Sequence, residues 1–348
     1  MEETKKHVLI VGAGIAGLEA ATHLEELGYK VSIIEKQQVT GGHVKNWFKT
    51  FPYFDASEAI INFAERSLSK FDVYNETQLT YAERNDNGFK VNTDKNKQFQ
   101  ADAILLTPGF KVFDAHKKEE YGYGIFQHVI TNADLEKYFR NGWPERDNKN
   151  LRFGFIHCVG SRDAKSGNLY CSKVCCATAV KQAIEVRQHF PDSEVYCFYM
   201  DLRMFGKNYE EMFQAAQEKH GINFVRARLS EVNQNFDNTL LIKVEDTLTS
   251  RPMKLTLDYI VLMSGMEPAE NAAQLSQIFG VPTDESGFFA PEKYLVSENN
   301  TVSEGVFVAG TATGPKTITE TINDARSAAL AIHHYLSHSR IPTEHGKE

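Results

Sequence analysis

The chain has 348 residues, 42% hydrophobic and 24% charged, enough for two domains with their own cores and too apolar for a disordered chain. Its 38 basic against 46 acidic side chains, net −8, disfavour a nucleic-acid partner, which would need a basic face. Met1-Glu2-Glu3-Thr4-Lys5-Lys6 lacks the order of a secretory leader and no run of about 18 apolar residues follows, so a cytoplasmic protein without a transmembrane segment is expected.

In chain order, Val8-Leu9-Ile10-Val11 reads as a strand running into Gly12-Ala13-Gly14-Ile15-Ala16-Gly17 and a helix through Leu24. Gly12 permits the tight turn, Gly14 lets the backbone approach a pyrophosphate, and Gly17 lets helix and strand pack closely. Tyr29–Ile34 is the second strand, with Glu35 at its end, placed to accept hydrogen bonds from the ribose hydroxyls. Lys36 follows, then Thr40-Gly41-Gly42-His43, whose small residues let an extended dinucleotide pass. Ile104-Leu105-Leu106-Thr107-Pro108-Gly109 resembles the strand-ending Thr-Gly motif of two-domain flavoprotein reductases.

The polar stretch 141–150 reads as a linker. A second opening of the same kind follows: strand Leu151–His157, a loop, helix Cys176–Phe190, strand Glu194–Met200 and helix Tyr209–His220, with β-rich sequence to Met263. Val306–Ala309 resembles the final flavin-contacting strand of those reductases. After Gly310 their usual aspartate is replaced by Thr311, so a hydroxyl or backbone contact is expected instead. Gly314-Pro315-Lys316-Thr317 leads into a last helix, Thr319–Leu336, whose N-terminus and Lys316 would face the flavin; a solvated Lys316 is the alternative.

The expected fold class is α/β: a two-dinucleotide-binding-domain flavoprotein, thioredoxin-reductase/glutathione-reductase-like, with an NAD-type domain inserted in the FAD-binding domain. The expected limits are 1–140 and 290–348 for the FAD domain and 150–285 for the insertion.

The second strand–helix turn has no glycine triplet. It carries four of the five cysteines instead, Cys158, Cys171, Cys175 and Cys176, spaced Cys-x12-Cys-x3-Cys-Cys. Four soft ligands at a helix N-terminus suit an iron–sulfur cluster. Structural zinc and a dithiol centre are the competing chemistries, though zinc favours paired knuckles and adjacent cysteines form a strained disulfide ring. Cys197, in a strand pattern, is expected to be a buried structural thiol.

Cys158-Val-Gly-Ser-Arg-Asp163, Tyr170-Cys-Ser-Lys-Val-Cys-Cys176, Val180-Lys-Gln-Ala183, Gly41-Gly42-His43, Thr50-Phe51-Pro52 and Ala309–Lys316 together resemble the A-type flavoprotein of heterodisulfide reductase. The resemblance implies FAD, a [4Fe-4S] cluster on Cys158, Cys171, Cys175 and Cys176, and a lysine, Lys181, near the flavin N5; an exposed helix lysine is the plainer reading of Lys181. It also implies a homodimer, B-like and C-like partner subunits, and a sulfur-carrier or lipoyl-bearing protein as a further partner.

The ferredoxin-like insertions of methanogen homologues are absent, and Phe54–Ala59 lacks the cysteines those proteins carry there. The stripped core is similar to the short A-like flavoprotein of the heterodisulfide-reductase-like complex of sulfur oxidisers and, less closely, to the quinone-interacting flavoprotein of sulfate reducers. Two readings stand beside that of an electron-transfer component: an NAD(P)H-dependent disulfide oxidoreductase using Cys175 and Cys176, and a flavin-stabilised scaffold that transfers nothing.

Overall fold

The computed structural model describes residues 5–143, 150–248 and 250–338, so linker residues 144–149 and the last ten residues of the expected return segment lie outside it. The first elements are β1 (His7–Val11), α1 (Ile15–Glu26), β2 (Lys30–Ile34), β3 (Asp72–Tyr74) and β4 (Ala103–Leu106). There follow β5 (Val129–Thr131), α2 (Asn132–Asn141), β6 (Arg152–Val159), α3 (Cys175–His189) and β7 (Glu194–Tyr199). The last are α4 (Tyr209–Glu218), β8 (Asn223–Arg226), β9 (Tyr259–Ser264), β10 (Val306–Val308) and α5 (Ile318–His338).

These fall into two compact units: Met1–Lys45, Glu58–Lys111 and Pro268–Glu348 in the first, Asn46–Ser57 and Val112–Glu267 in the second. The first is built on a five-stranded sheet in the order β10-β4-β1-β2-β3, parallel throughout. A sheet covered on both faces wants unbroken apolar strands. Val8, Leu9, Ile10, Ile104 and Leu105 supply them and are fully buried. A separate antiparallel sheet of Leu79–Asn85, Gly88–Thr93 and Gln98–Ala101 completes the unit, and α1 packs along α5.

The second unit repeats the plan, with parallel order β8-β7-β6-β9-β5 and its own antiparallel sheet of Val232–Gln234, Leu240–Asp246 and Arg251–Leu257. Phe153 and Tyr259 stack at 5.2 Å in its core.

The expected domain limits fall inside these units, for reasons of pairing and packing. Strand β5 joins β9 in register, Ile260 with Val129 and Leu262 with Thr131, which draws residues from 112 onward into the second sheet. Leu275, Phe279 and Val281 pack in one core with Leu9 and Ile104, which returns residues from 268 onward to the first unit. None of the described helices is long and apolar enough to cross a membrane.

Candidate functional site

In the first unit β1 hands over to α1 through three residues. Gly12 has φ 111°, and a Cβ there would stand 2.2 Å from the Thr107 carbonyl oxygen. A Cβ on Gly17 would stand 2.0 Å from the Gly12 carbonyl oxygen, so helix and strand meet backbone to backbone. Gly14 differs: a Cβ there meets nothing within 4 Å. This open space lies at the N-terminus of α1, whose cap makes no side-chain hydrogen bond. Free N–H groups and the positive end of the helix dipole are what a pyrophosphate requires.

The other expected cofactor residues of this unit gather at the same end of the sheet. Glu35 is buried; its Oε2 accepts the Ala13 N–H at 2.6 Å and its Oε1 the Gln37 N–H at 2.7 Å, and each oxygen keeps a lone pair for a ribose hydroxyl. Thr107 Oγ1 donates to the Val11 and Gly12 carbonyls at 3.1 and 3.0 Å. Gly42, at φ 58°, would bring a Cβ to 3.3 Å from Gly14 Cα. His43 donates through Nε2 to the Phe110 carbonyl at 2.8 Å and stacks on the Phe110 ring. Burial pushes its pKa down, Lys36 adding to the effect, so the imidazole is neutral. Pro108 is half-buried beside these groups, and the nearest atom to a Cβ on Gly109 would be Thr311 Oγ1, at 4.0 Å.

The return segment removes the solvated alternative for Lys316 and adds a carboxylate that the sequence reading did not include. Gly310 has φ 72° and would bring a Cβ to 2.7 Å from that of Ala16. A carboxylate does serve this turn, but it comes from α5: Asp324 Oδ2 accepts the Gly310 N–H at 2.7 Å and pairs with Lys316 Nζ at 2.6 Å. Lys316 also donates to Thr313 Oγ1 at 2.8 Å, so it is neither solvated nor a free cation. Thr317 and Glu320 cap α5 reciprocally: the Thr317 N–H donates to Glu320 Oε2 at 2.9 Å and the Glu320 N–H to Thr317 Oγ1 at 3.2 Å, and Pro315 precedes this cap. Asp324 lies seven residues beyond Thr317, two helical turns along one face, and that spacing was the available sequence signal.

In the second unit the passage from β6 to α3 takes residues 160–174, fifteen where the first unit uses three. Cys158 lies at an irregularity of the β6–β9 ladder between Ile156 and Val159. It has φ 59°, Arg162 53° and Lys173 59°. Non-glycine residues held there cost of order 1–3 kcal/mol each, and such strain gathers at functional sites. The loop is firmly tied. Arg162 N–H donates to the Tyr170 carbonyl at 2.9 Å, Asn168 Nδ2 to the Gly160 carbonyl at 3.0 Å, and Met266 N–H to Ser172 Oγ at 3.0 Å.

Helix α3 opens on Cys175 and Cys176 with no side-chain cap. Cys175 hydrogen-bonds to both Cys158 and Cys176, which drives its own pKa well above the thiol range and lowers theirs, to about 7 for Cys158 and about 4 for Cys176. Cys171, the only half-exposed member, accepts the Lys173 N–H at 3.3 Å. The Arg162 guanidinium feels the charge of both Cys158 and Cys171.

Among the described residues no three His, Cys, Asp or Glu side chains are arranged to hold one metal ion. Of the four expected ligands, Cys175 hydrogen-bonds to Cys158 and to Cys176, and Cys171 lies on the same loop. The residues present nonetheless suit a group carrying its own sulfide. Among the described residues, Ser161 Oγ has no hydrogen-bond partner and buried His157 stands beside Cys176, and polar groups of this kind beside cysteine sulfur tune clusters. Cys197 is fully buried, and burial pushes its thiol far up, as a structural residue requires.

Lys181 is 2% exposed, which excludes the plain surface-lysine reading. Its Nζ donates to Glu136 Oε1 at 2.6 Å and to the Lys49 carbonyl at 2.9 Å, and stands 3.1 Å from Glu185. Glu136 Oε1 also accepts from Gln182 Nε2 at 2.5 Å, and its Oε2 accepts the Phe48 N–H at 2.7 Å. Sequence reasoning missed both glutamates, although Lys181 and Glu185 stand in the i, i+4 relation that signals a pair.

Burial pushes Glu185 up to about 7, with Lys181 opposing and Glu136 adding. The folded chain therefore holds a proton that the unfolded chain, at 4.5, releases. This contribution to stability is complete below the unfolded value and fades as pH rises towards 7. Glu185→Gln should abolish it: between about pH 5 and pH 8 the variant should lose less stability to urea than the parent, by roughly 2–3 kcal/mol. Equal losses would show that Glu185 ionises freely.

Residues 177–329 match the pyridine nucleotide-disulphide oxidoreductase family, and residues 10–63 an NAD(P)-binding Rossmann-like domain. The chain is 31% identical to an A-type iron-sulfur component of the CoB–CoM heterodisulfide reductase of Methanopyrus kandleri, over 99% of this chain and 65% of that one. It is 31% identical to the corresponding protein of Methanocaldococcus jannaschii, over 95% and 64%. The chain thus spans slightly less than two thirds of these relatives. Thioredoxin reductase of T. acidophilum superimposes with a TM-score of 0.66 at 19% identity, covering 96% of this chain and 99% of that one. That of Lactococcus lactis gives 0.66 at 18%, with the same coverage. The fold is the thioredoxin-reductase-like flavoprotein fold with two dinucleotide-binding domains.

Proposed function

We propose that this chain, a homologue of the A-type heterodisulfide reductase flavoprotein over nearly its whole length, is an oxidoreductase: a FAD- and [4Fe-4S]-containing electron-transfer component of a heterodisulfide-reductase-like complex in cytoplasmic sulfur metabolism. One contrast carries the reading. The first unit keeps an open dinucleotide cradle at Gly14, whereas the equivalent turn of the second is a fifteen-residue loop ending in thiols at a helix N-terminus.

FAD, when bound, exchanges electrons both in pairs and singly, and a cluster only singly. The chain's own residues bind and position. Gly12, Gly14, Gly17 and Glu35 would hold the ADP half, with Gly42 and Thr107 close by. Gly310, Thr311 and the capped start of α5 would border the flavin half, and Cys158, Cys171, Cys175 and Cys176 would ligate the cluster. Lys181 as the lysine near flavin N5 rests on the family resemblance; within its own unit its Nζ is engaged by Glu136 and the Lys49 carbonyl. B-like and C-like subunits, a sulfur-carrier or lipoyl-bearing protein and a second copy of the chain are the proposed partners.

The mutual thiol hydrogen bonds favour a second reading, a disulfide oxidoreductase using Cys175 and Cys176. Anaerobic purification with iron, sulfide and zinc analysis separates the two. About four irons and four sulfides per chain are expected. Cys171→Ala should lose most of the iron and the reduced cluster's EPR signal while keeping FAD. Unchanged iron, or an iron-free parent whose flavin NADH reduces rapidly, would reject the cluster.

A further inference from the structure

We infer that Asn46–Ser57 is a proton-controlled latch: a self-contained hairpin that closes over the Lys181 charge cluster at acid pH and swings off it as pH rises. The inference goes beyond the reading above and holds whichever cofactors the chain carries.

The segment packs in the second unit, although Met1–Lys45 and Glu58–Lys111 on either side of it belong to the first. It is bonded to itself. The Thr50 N–H donates to the Asp55 carbonyl at 2.8 Å, the Phe54 N–H to the Thr50 carbonyl at 3.0 Å and the Ser57 N–H to the Phe48 carbonyl at 3.2 Å. Lys49 bridges to Ala56, and Ser57 Oγ donates to the Trp47 carbonyl, which ties the two ends together. A compact loop closed on itself in this way can leave its neighbours without unfolding. Phe54, an aromatic residue at φ 61°, holds strained backbone that such a movement can release.

Few polar bonds hold the hairpin to α2, α3 and α4. The Phe48 N–H donates to Glu136 Oε2 at 2.7 Å, and the Lys49 carbonyl accepts from Lys181 Nζ at 2.9 Å. Arg140 reaches the Trp47 carbonyl at 3.4 Å, and the Tyr53 hydroxyl accepts from Asn208 Nδ2 at 2.8 Å. Phe48 and Phe51 lie against Phe139 and Tyr209, with ring centres 5.7 and 5.8 Å apart. The two shortest of these polar bonds to helix side chains other than that of Asn208 end on the buried cluster of Glu136, Lys181 and Glu185.

That cluster changes charge near neutrality. While Glu185 is protonated, Lys181 and Glu136 balance each other. Once it ionises, a second buried carboxylate stands 3.1 Å from Nζ and competes with the Lys49 carbonyl for its protons. Lys181 on its own helix, Glu136 on α2 and Lys49 on the hairpin are the charged groups that act on Glu185, and burial outweighs their sum. Water admitted by an opening hairpin therefore relieves the charge. Under the closed hairpin Glu185 keeps its proton up to about 7, and a hydrated Glu185 releases it towards 4.5. Opening thus grows with pH between these values and levels off above the higher one.

Amide exchange of the full chain, resolved by residue from about pH 5 to pH 8 and corrected for the intrinsic rate at each pH, tests the latch. Protection of the Phe48 N–H should fall roughly tenfold per pH unit up to about pH 7 and then level off. At every pH it should stay at least about a hundredfold below the protection of β6, and the Thr50 N–H, bonded inside the hairpin, should be better protected than that of Phe48. Glu185→Gln should remove the slope. Tyr53→Phe, which deletes only the hydroxyl bonded to Asn208, should lower protection about threefold at every pH and keep the slope. Protection of Phe48 that is flat with pH in the parent, or a slope that survives Glu185→Gln, would overturn the latch. So would protection equal to that of β6, because the hairpin would then leave only when the whole unit unfolds.

Discussion

Replacing Lys181 by methionine should cost the second unit about 3–5 kcal/mol, the range seen when one partner of a buried ion pair is removed. The remaining donors to Glu136, Gln182 Nε2 and the Phe48 N–H, relieve only part of the loss. Glu136 and Glu185 are buried, and without Nζ each loses the ammonium beside it while the Lys49 carbonyl loses its donor. Methionine fills similar volume, so the effect is electrostatic rather than a cavity. Two measurements check this. Amide exchange of Phe48, whose N–H is held by Glu136, should quicken far more than exchange in β1 or β2. Adding Glu185→Gln should recover little of the stability below pH 7, because burial already keeps Glu185 protonated there. A methionine variant as stable as the parent would mean that the contact between Lys181 and Glu136 contributes nothing to stability.

The same cluster marks the limit of what the sequence discloses. Lys181 and Glu136 are 45 positions apart. Nothing in a helical pattern tells a lysine drawn into a core by a distant glutamate from one in water, and burial is decided by the sheet beneath. Asp324 is a similar case: local reading noticed that Thr311 had displaced an aspartate, but the replacement arrives by helix packing. What was legible was what short-range geometry compels. The Gly12–Gly17 spacing, Glu35 after the second strand and a thiol loop in place of the second glycine turn each follow from backbone sterics or ligand chemistry. The left-handed backbone at Cys158, Arg162 and Lys173 was not legible, because tertiary bonds of the loop impose it against residue preference. Domain limits failed for the same reason, since pairing of β5 with β9 is a long-range choice.

The glycine cradle permits a sharper prediction, because its members should fail in opposite ways. Gly17→Ala should not give a stable protein. The new Cβ would lie 2.0 Å from the Gly12 carbonyl oxygen and 2.9 Å from Thr107 Oγ1, and a backbone atom cannot swing aside as a side chain can. Relief requires α1 to part from β1, at a cost of at least about 3 kcal/mol. Gly14→Ala should fold normally: φ −76° suits alanine and its Cβ meets no atom of the protein within 4 Å. The apo chain should even gain a few tenths of a kcal/mol, roughly, from a stiffer unfolded state. Yet that methyl would occupy the space through which a pyrophosphate reaches the helix N-terminus, so FAD affinity should fall by about a hundredfold or more. Flavin content after gel filtration and a fluorescence titration of the apoprotein decide it. If Gly14→Ala keeps stoichiometric FAD, the open space at α1 is not where the diphosphate sits.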